Sequence, residues 1–410
     1  MTFLRKVTSV LKERRKEAGL LLPAVLSLVA VTTFFITVKL ASAEGGDFPA
    51  HIAFANMFFD GQTAITGYEP AFYWVYGLFA RVFHIPDIYA CAYANTVFSL
   101  LCAVSVYAVI GVFSKASRTE RALATLFMMF FDPLYFAGLN GTNYYLGTYS
   151  FNTWHNPTNN SVKFIAVLTF YLFIVAFHMD EAEKIPILGR MAGKRALDVT
   201  VSILTCVSVW LKPSFFQVFA PALAVCFVMD FVQNRRSFKR YVREAIVFIP
   251  PALLILYQMK TLFFSEAPSG GGVEIAFLDV WSYWSPHVLL SVLAVTAFPI
   301  WVTAFCGSGS GMTGIMKYSW IFYVISCCEF AFLAEVGNRR YHGNFGWGMC
   351  LGIGIVTLSA LMRFINYVHL EREDGRYRAA VFIGAALLSM QFFLGIWYYW
   401  RVLTTPVQCF

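Results

Sequence analysis

Apolar runs of about 20 residues, separated by short polar joints, recur along the chain and constrain its fold more than any other feature. Such a run matches the thickness of a bilayer's hydrocarbon core, where only helices or closed barrels can satisfy their backbone groups. Hydrophobic residues make up 59% of the 410 positions and charged residues 13%. That is about half the charge of a soluble domain. The sequence therefore predicts an all-α polytopic membrane protein.

We predict eleven transmembrane helices. They cover approximately residues 19–41, 87–113, 121–139, 161–179, 196–211, 214–232, 244–262, 286–306, 318–335, 346–368 and 379–400. The basic start of the chain resembles that of a signal peptide, but the apolar run after it is too long and lacks a convincing cleavage site. We expect a basic cytoplasmic tail at 1–18 and a single membrane domain at 19–410.

The distribution of Lys and Arg predicts the orientation of this domain. With the N-terminus in the cytoplasm, the cytoplasmic tail and joints hold 23 of the 31 basic residues, and the rest of the chain holds 8. This asymmetry follows the positive-inside rule. It explains the net charge of +8 without a nucleic-acid partner. The external side then receives residues 42–86, 140–160, 212–214, 263–285, 336–345 and the C-terminal tail.

The first external loop, 42–86, is patterned. It begins with GGDFPAHIAFANMFFDG, in which Asp47 and His51 stand four residues apart and so share one face of a helix. The apolar residues of this stretch are spaced by four, three and four positions. A turn and a second aromatic amphipathic stretch, AFYWVYGLFARVF, follow. Both stretches are too short to span a bilayer, so they predict two helices lying in the membrane interface.

This pattern resembles the first luminal or periplasmic loop of the GT-C superfamily, integral-membrane glycosyltransferases that use polyprenyl-phosphate-linked sugars. The residues that carry the resemblance are Asp47, His51, Ala55, Gly61, Tyr68, Glu69, Pro70, Tyr73 and Tyr76. The resemblance implies a GT-C-like fold with Asp47 as the catalytic base. His51 would orient the base or contact the donor phosphate, and Glu69 is the alternative carboxylate.

The external segment 140–160 carries candidate residues for binding a sugar or an acceptor. Residues 140–160 are rich in Asn and aromatic residues, which bind hydroxyl groups and stack on sugar faces. The candidates for sugar or acceptor binding are Trp154, His155, Asn156, Tyr68 and Asn344. The alternative is an Asn-rich surface loop ordered by its own hydrogen bonds.

Cationic side chains on the external side are candidates for binding a phosphate. The stretch EVGNRRYHGNFGWG, residues 335–348, contains Arg339, Arg340 and His342, and Lys212 lies in a very short joint. Guanidinium groups match phosphate geometry and stabilise charge that grows on a leaving group. The alternatives are headgroup anchoring by Lys212 and an ion pair between Arg339 or Arg340 and Glu335.

We expect an inverting glycosyltransferase that moves a sugar from an undecaprenyl-phosphate-like donor to a glycan, lipid or protein acceptor. Its active site would face the extracytoplasmic side, most simply of a bacterial inner membrane. No nucleotide-binding or zinc motif is present, and external acidic residues are few, so no metal site is indicated and a divalent cation stays open.

Three alternatives to such a glycosyltransferase remain open from the sequence. An O-antigen-type polymerase or ligase would act on lipid diphosphates through external Arg and His residues. A lipid or solute transporter would show inverted repeats and a site at the bilayer midplane. A scaffold would have no chemistry.

Overall fold

The computed structural model describes most of the chain. The described residues are 21–62, 70–135, 150–180, 183–187, 190–234, 238–263, 272–307, 312–373 and 378–405. The predicted tail at 1–18 lies outside these ranges, as do two predicted site residues, Tyr68 and Glu69.

Helices account for nearly all of the described structure. The helices are α1 (Leu21–Ala41), α2 (Asp47–Phe59), α3 (Pro70–Gly77), α4 (Asp87–Phe113), α5 (Arg118–Phe130), α6 (Pro157–His178), α7 (Lys194–Leu211), α8 (Ser214–Asn234), α9 (Phe238–Ile246), α10 (Ile249–Phe263), α11 (Asp279–Trp284), α12 (Val288–Phe305), α13 (Thr313–Phe332), α14 (Trp347–Glu373) and α15 (Ala379–Thr404). Two short antiparallel ladders pair β1 (Lys184–Ile187) with β2 (Arg190–Gly193), and β3 (Val273–Ile275) with β4 (Leu333–Glu335).

Within the described residues, eight helices are long and apolar enough to cross a membrane, and the bent pair α9–α10 makes a ninth if it counts as one span. The eight are α1, α4, α6, α8, α12, α13, α14 together with the 3-10 turns before it, and α15. The predicted class, an all-α polytopic membrane protein, is confirmed.

Three of the eleven predicted spans differ from a plain transmembrane helix. The span expected at 121–139 is helical only to Phe130, where the chain becomes extended. Helix α7 has 18 residues but begins with Lys194, Arg195 and Asp198 in its first turns. The span expected at 244–262 is two helices that meet at 50°. Hydropathy averages over a window, so it does not detect where a helix breaks or bends.

Helix α14 forms the centre of the bundle, and 94% of its spanning window is buried. The peripheral helices α1 and α15 bury only 28% and 22% of theirs. A glycine of α14 permits the close packing: a Cβ atom at Gly354 would lie 2.1 Å from the ring of Phe151. Small residues at helix contacts are typical of membrane bundles, because they let neighbouring elements approach closely.

The loop 42–86 forms the two short helices that its pattern predicts. Helix α1 ends at Ala41, and Gly45 turns the chain with a φ of +78°, a conformation that suits glycine. Helix α2 then begins at Asp47. Helices α2 and α3 pack against each other, and both also contact helices of the bundle. With 13 and 8 residues, both helices are too short to span a bilayer.

Candidate functional site

Asp47 and Asn156 form the first contact of the site, although 109 positions separate them. Asn156 Nδ2 donates to Asp47 Oδ2 over 2.7 Å. Asn156 is also the N-cap of α6, because its Oδ1 accepts from the backbone N–H of Asn159 over 2.8 Å. The cap fixes the amide orientation: the oxygen faces the helix end, so the NH₂ group must face Asp47. Asp47 itself begins α2, where the helix dipole favours a carboxylate.

Lys212 connects the pair Asp47 and Asn156 to the ends of two further helices, α7 and α14. It caps the C-terminus of α7 and is 7% exposed. Its Nζ donates to Thr158 Oγ1 over 3.0 Å and to Asn156 Oδ1 over 3.5 Å. The ammonium also lies 5.1 Å from the ring centroid of Trp347, the first residue of α14. The ends of α2, α6, α7 and α14 therefore meet here, and we call this end of the bundle the site face.

A cavity of about 130 Å³ opens beside Lys212 on the site face. Its lining residues are Lys212, Pro213, Ser214, Gln217, Ile255, Gln258, Met259, Val273, Glu335, Arg339, Asn344, Phe345 and Trp347. Among the described residues, the ionisable groups of this lining are Lys212, Arg339 and Glu335. Two cations and one carboxylate suit a small anionic group.

A polar chain crosses the wall of the cavity opposite α7. The Nε1 of Trp347 donates to Asn344 Oδ1 over 3.3 Å, and Asn344 Nδ2 donates to Glu335 Oε2 over 2.5 Å. The other carboxylate oxygen of Glu335 is 3.2 Å from Arg339 Nη2. Glu335 is 10% exposed and Arg339 43% exposed. The ion pair with Glu335, which was the alternative to phosphate binding for these arginines, is therefore present for Arg339, within the cavity wall.

The adjacent residue Arg340 points away from the cavity. Its guanidinium binds Glu274 on β3 and Asp279 on α11, the latter over 2.8 Å from Nε. These hydrogen bonds raise the pKa of Arg340 above its usual value. The next predicted residue, His342, is exposed on the same 3-10 turn, Gly337–His342, and does not line the cavity. Of the two arginines, the structure brings Arg339 to Lys212.

His51 lies one turn from Asp47 on α2, as expected, and is surrounded by aromatic rings. Its Nδ1 is 3.3 Å from the hydroxyl of Tyr73 on α3, and its ring packs against Phe54 and Phe72. The contact joins α2 to α3, so His51 helps fix the helix that carries Asp47.

In the segment before α6, the two predicted aromatic site residues, Trp154 and His155, pack in different places. Trp154 has a φ of +24°, which is strained for a residue with a Cβ atom. The resulting turn buries its ring against Phe130 and Tyr399, away from the cavity. The ring of His155 lies 5.5 Å from that of Trp347. Burial lowers the pKa of His155, and the charge of Asp47 opposes part of that shift.

Sequence reasoning missed Trp347 and Gln258 and treated Glu335 only as an ion-pair partner. Trp347 and Glu335 stand in the basic stretch 335–348 already singled out, so their polar and aromatic character was a usable signal. Gln258 is an isolated polar residue in the apolar run of α10, and its Nε2 donates to the backbone of Val209. Among the described residues, no group of three or more His, Cys, Asp or Glu side chains could hold a metal ion.

No family model matches the chain, and no curated protein sequence matches it. Among solved structures, the chain is similar to ArnT from Cupriavidus metallidurans in the apo state. The two are 12% identical with a TM-score of 0.49, over 94% of this chain and 73% of the other. At that level of similarity, the chemistry of the site has to be derived from this chain's own residues.

Proposed function

We propose that this membrane protein is a GT-C-type inverting glycosyltransferase that takes its sugar from a polyprenyl-phosphate donor. The observation that carries the proposal is the polar connection from Asp47 through Asn156 to Lys212 and the cavity. It joins a carboxylate that can accept a proton to a cationic cavity that can hold a phosphate. These are the two groups that displacement of a lipid phosphate by a hydroxyl requires.

In the proposed reaction, Asp47 takes the proton from the acceptor hydroxyl as its oxygen attacks the anomeric carbon. Lys212 and Arg339 hold the phosphate and stabilise the charge that grows as the glycosidic bond breaks. Attack opposite the leaving group inverts the configuration at that carbon, through an oxocarbenium-like transition state. The acceptor is a glycan, lipid or protein hydroxyl. The bias of basic residues toward the other face supports an extracytoplasmic site, for which a bacterial inner membrane is the simplest setting.

The charge of the cavity favours a monophosphate donor over a lipid diphosphate. With Lys212, Arg339 and Glu335 ionised, the described lining carries one net positive charge. A polyprenyl-phosphate sugar is a phosphodiester with one negative charge. A diphosphate donor carries one more negative charge than the cavity neutralises. This disfavours the polymerase or ligase alternative.

The test is transfer by purified protein in liposomes from a panel of radiolabelled polyprenyl-phosphate sugars. Transfer with an inverted anomeric centre, measured by NMR on the product, is the expected result. Lys212→Met and Arg339→Gln should each weaken donor binding about tenfold or more, since each removes a charge-assisted contact to phosphate. The control is Lys260→Met, a basic residue on α10 that does not line the cavity. Donor binding without transfer would instead indicate a transporter.

A further inference from the structure

The carboxylate of Glu335 is out of place in a cavity that holds phosphate. It lines the cavity with Lys212 and Arg339, and it is held by a hydrogen bond from Asn344 over 2.5 Å and by an ion pair with Arg339 over 3.2 Å. These contacts fix the negative charge next to the place where the ligand's charge must lie. A site selected only for tight phosphate binding would carry no such group.

The ligand's charge changes during the proposed reaction. The donor is a phosphodiester and carries one negative charge at any pH near neutrality. The lipid product is a phosphate monoester, which has a second ionisation near pH 6 and carries a charge of about −1.5 to −2 at pH 7. A cavity that neutralises the donor's charge is therefore short of positive charge for the product.

We infer that Glu335 is a specificity-determining residue that makes the cavity prefer the phosphodiester donor and reject the phosphomonoester product. The inference rests on the proposed function, because it takes the cavity to hold the lipid phosphate. Glu335 offsets one of the two cations, so the second charge of the monoester meets repulsion without compensation. Product release is thereby favoured without loss of the contacts that hold the donor.

Two probes isolate this charge effect: farnesyl phosphate and its methyl ester, which share the lipid and differ by about one charge at pH 7.5. Their dissociation constants are measured by calorimetry on the full chain in detergent, for the parent and for Glu335→Gln. Removing one negative charge should strengthen binding of the methyl ester about threefold and of farnesyl phosphate about tenfold, since Coulomb energy scales with the ligand's charge. Equal changes for the two probes, or none, would overturn the inference.

Two variants control for the loss of the contacts themselves. Glu335→Asp keeps the charge while shortening the side chain, and it should keep the parent's preference. Loss of the preference in this variant would assign it to contact geometry and overturn the charge argument. Glu274→Gln removes a carboxylate that binds Arg340 outside the cavity, and it should leave both dissociation constants unchanged. A change equal to that of Glu335→Gln would show a long-range charge effect and also refute the inference.

A measurement on the unmodified protein does not depend on whether Glu335→Gln folds. As the pH falls from 7.5 to 5.5, farnesyl phosphate becomes largely a monoanion, so its affinity should approach that of the methyl ester. A ratio that stays constant would contradict the inference. Failure of both probes to bind the parent would refute the lipid-phosphate site itself, and the proposed function with it. Binding without the predicted shift refutes only the role of Glu335.

Discussion

Asn156 determines how Asp47 is presented, so substitutions at this position test the site without removing the base. Asn156→Ser retains a hydroxyl that can cap α6 but is too short to donate to Asp47. Asn156→Asp also retains the cap, because it keeps the Oδ1 that accepts from the backbone N–H of Asn159 over 2.8 Å. It replaces the NH₂ group, which donates to Asp47 over 2.7 Å, with a second carboxylate oxygen. Both variants therefore preserve the helix end and change what faces Asp47, and Asn156→Ser also removes the oxygen that accepts from Lys212.

The size of the effect follows from the bond that is lost. A hydrogen bond to a charged group contributes about 1.5–3 kcal/mol. If that energy holds Asp47 in its reactive orientation, both variants should lower kcat about 10- to 150-fold. Asn156→Asp adds a second carboxylate beside Asp47, and like charges raise the apparent pKa of the pair. Because the base must be ionised, activity should then be lost at a higher pH as the solution is acidified.

The assay is sugar transfer by purified protein, with kcat/KM measured from pH 5 to 9 and thermal unfolding as a check on folding. Both variants should lose rate and move the acidic limb to higher pH, Asn156→Asp further than Asn156→Ser, because Ser only removes a hydrogen bond to the Asp47 carboxylate whereas Asp also adds a like charge. Folded variants with the parent's kcat and pH profile would refute a positioning role for Asn156.

Three further predictions concern stability and binding. Arg340→Ala should lower the thermal unfolding temperature and leave the affinity for farnesyl phosphate unchanged, because Arg340 binds Glu274 and Asp279 outside the cavity; weakened affinity would return Arg340 to the phosphate site. Burial lowers the pKa of His155, so acidification below about pH 6.5 adds a proton to the unfolded chain but not to the folded one. The free energy of unfolding should therefore decrease as the pH is lowered through this range. His155→Gln should reduce this dependence of the thermal unfolding temperature on pH, and an unchanged dependence would contradict the prediction. Gly395→Ala would place a Cβ atom 1.5 Å from the carbonyl oxygen of Phe130, a backbone atom that cannot rotate away. It should cost about 1–3 kcal/mol or more, seen as a lower unfolding temperature, and an unchanged temperature would refute this contact.

The helices that cross the membrane were predictable because each depends on a local property, a run of apolar residues long enough for the bilayer. The two short helices α2 and α3 were equally predictable, from the spacing and length of their apolar stretches. The break after Phe130 was not, because it depends on tertiary contacts: the extended residues that follow donate backbone hydrogen bonds to Gln391 and Ala294 on other helices. Partners of this kind leave no pattern in the local sequence.

The site was predictable in its residue types but not in its pairings. Sequence alone treats the adjacent Arg339 and Arg340 alike, whereas each residue of a 3-10 turn rotates the side-chain direction by about 120°. The two guanidinium groups therefore face different partners, Glu335 for one and Asp279 for the other. Likewise, Asn156 and Trp154 differ by two positions, and the strained backbone at Trp154 sends one side chain to the site and the other into the core.

The role of Asp47 as the base is the central claim, and the most direct test is the single-turnover transfer rate of Asp47→Asn. Asp60→Asn is the matched control, since Asp60 caps the other end of α2 and binds Arg81. We predict that Asp47→Asn lowers the rate about 10²- to 10⁴-fold, the range of general-base catalysis, while the labelled donor still binds. Asp60→Asn should transfer at the parent's rate. Undiminished transfer by Asp47→Asn would contradict the role of Asp47 as the base, because the proton would then be taken by another group.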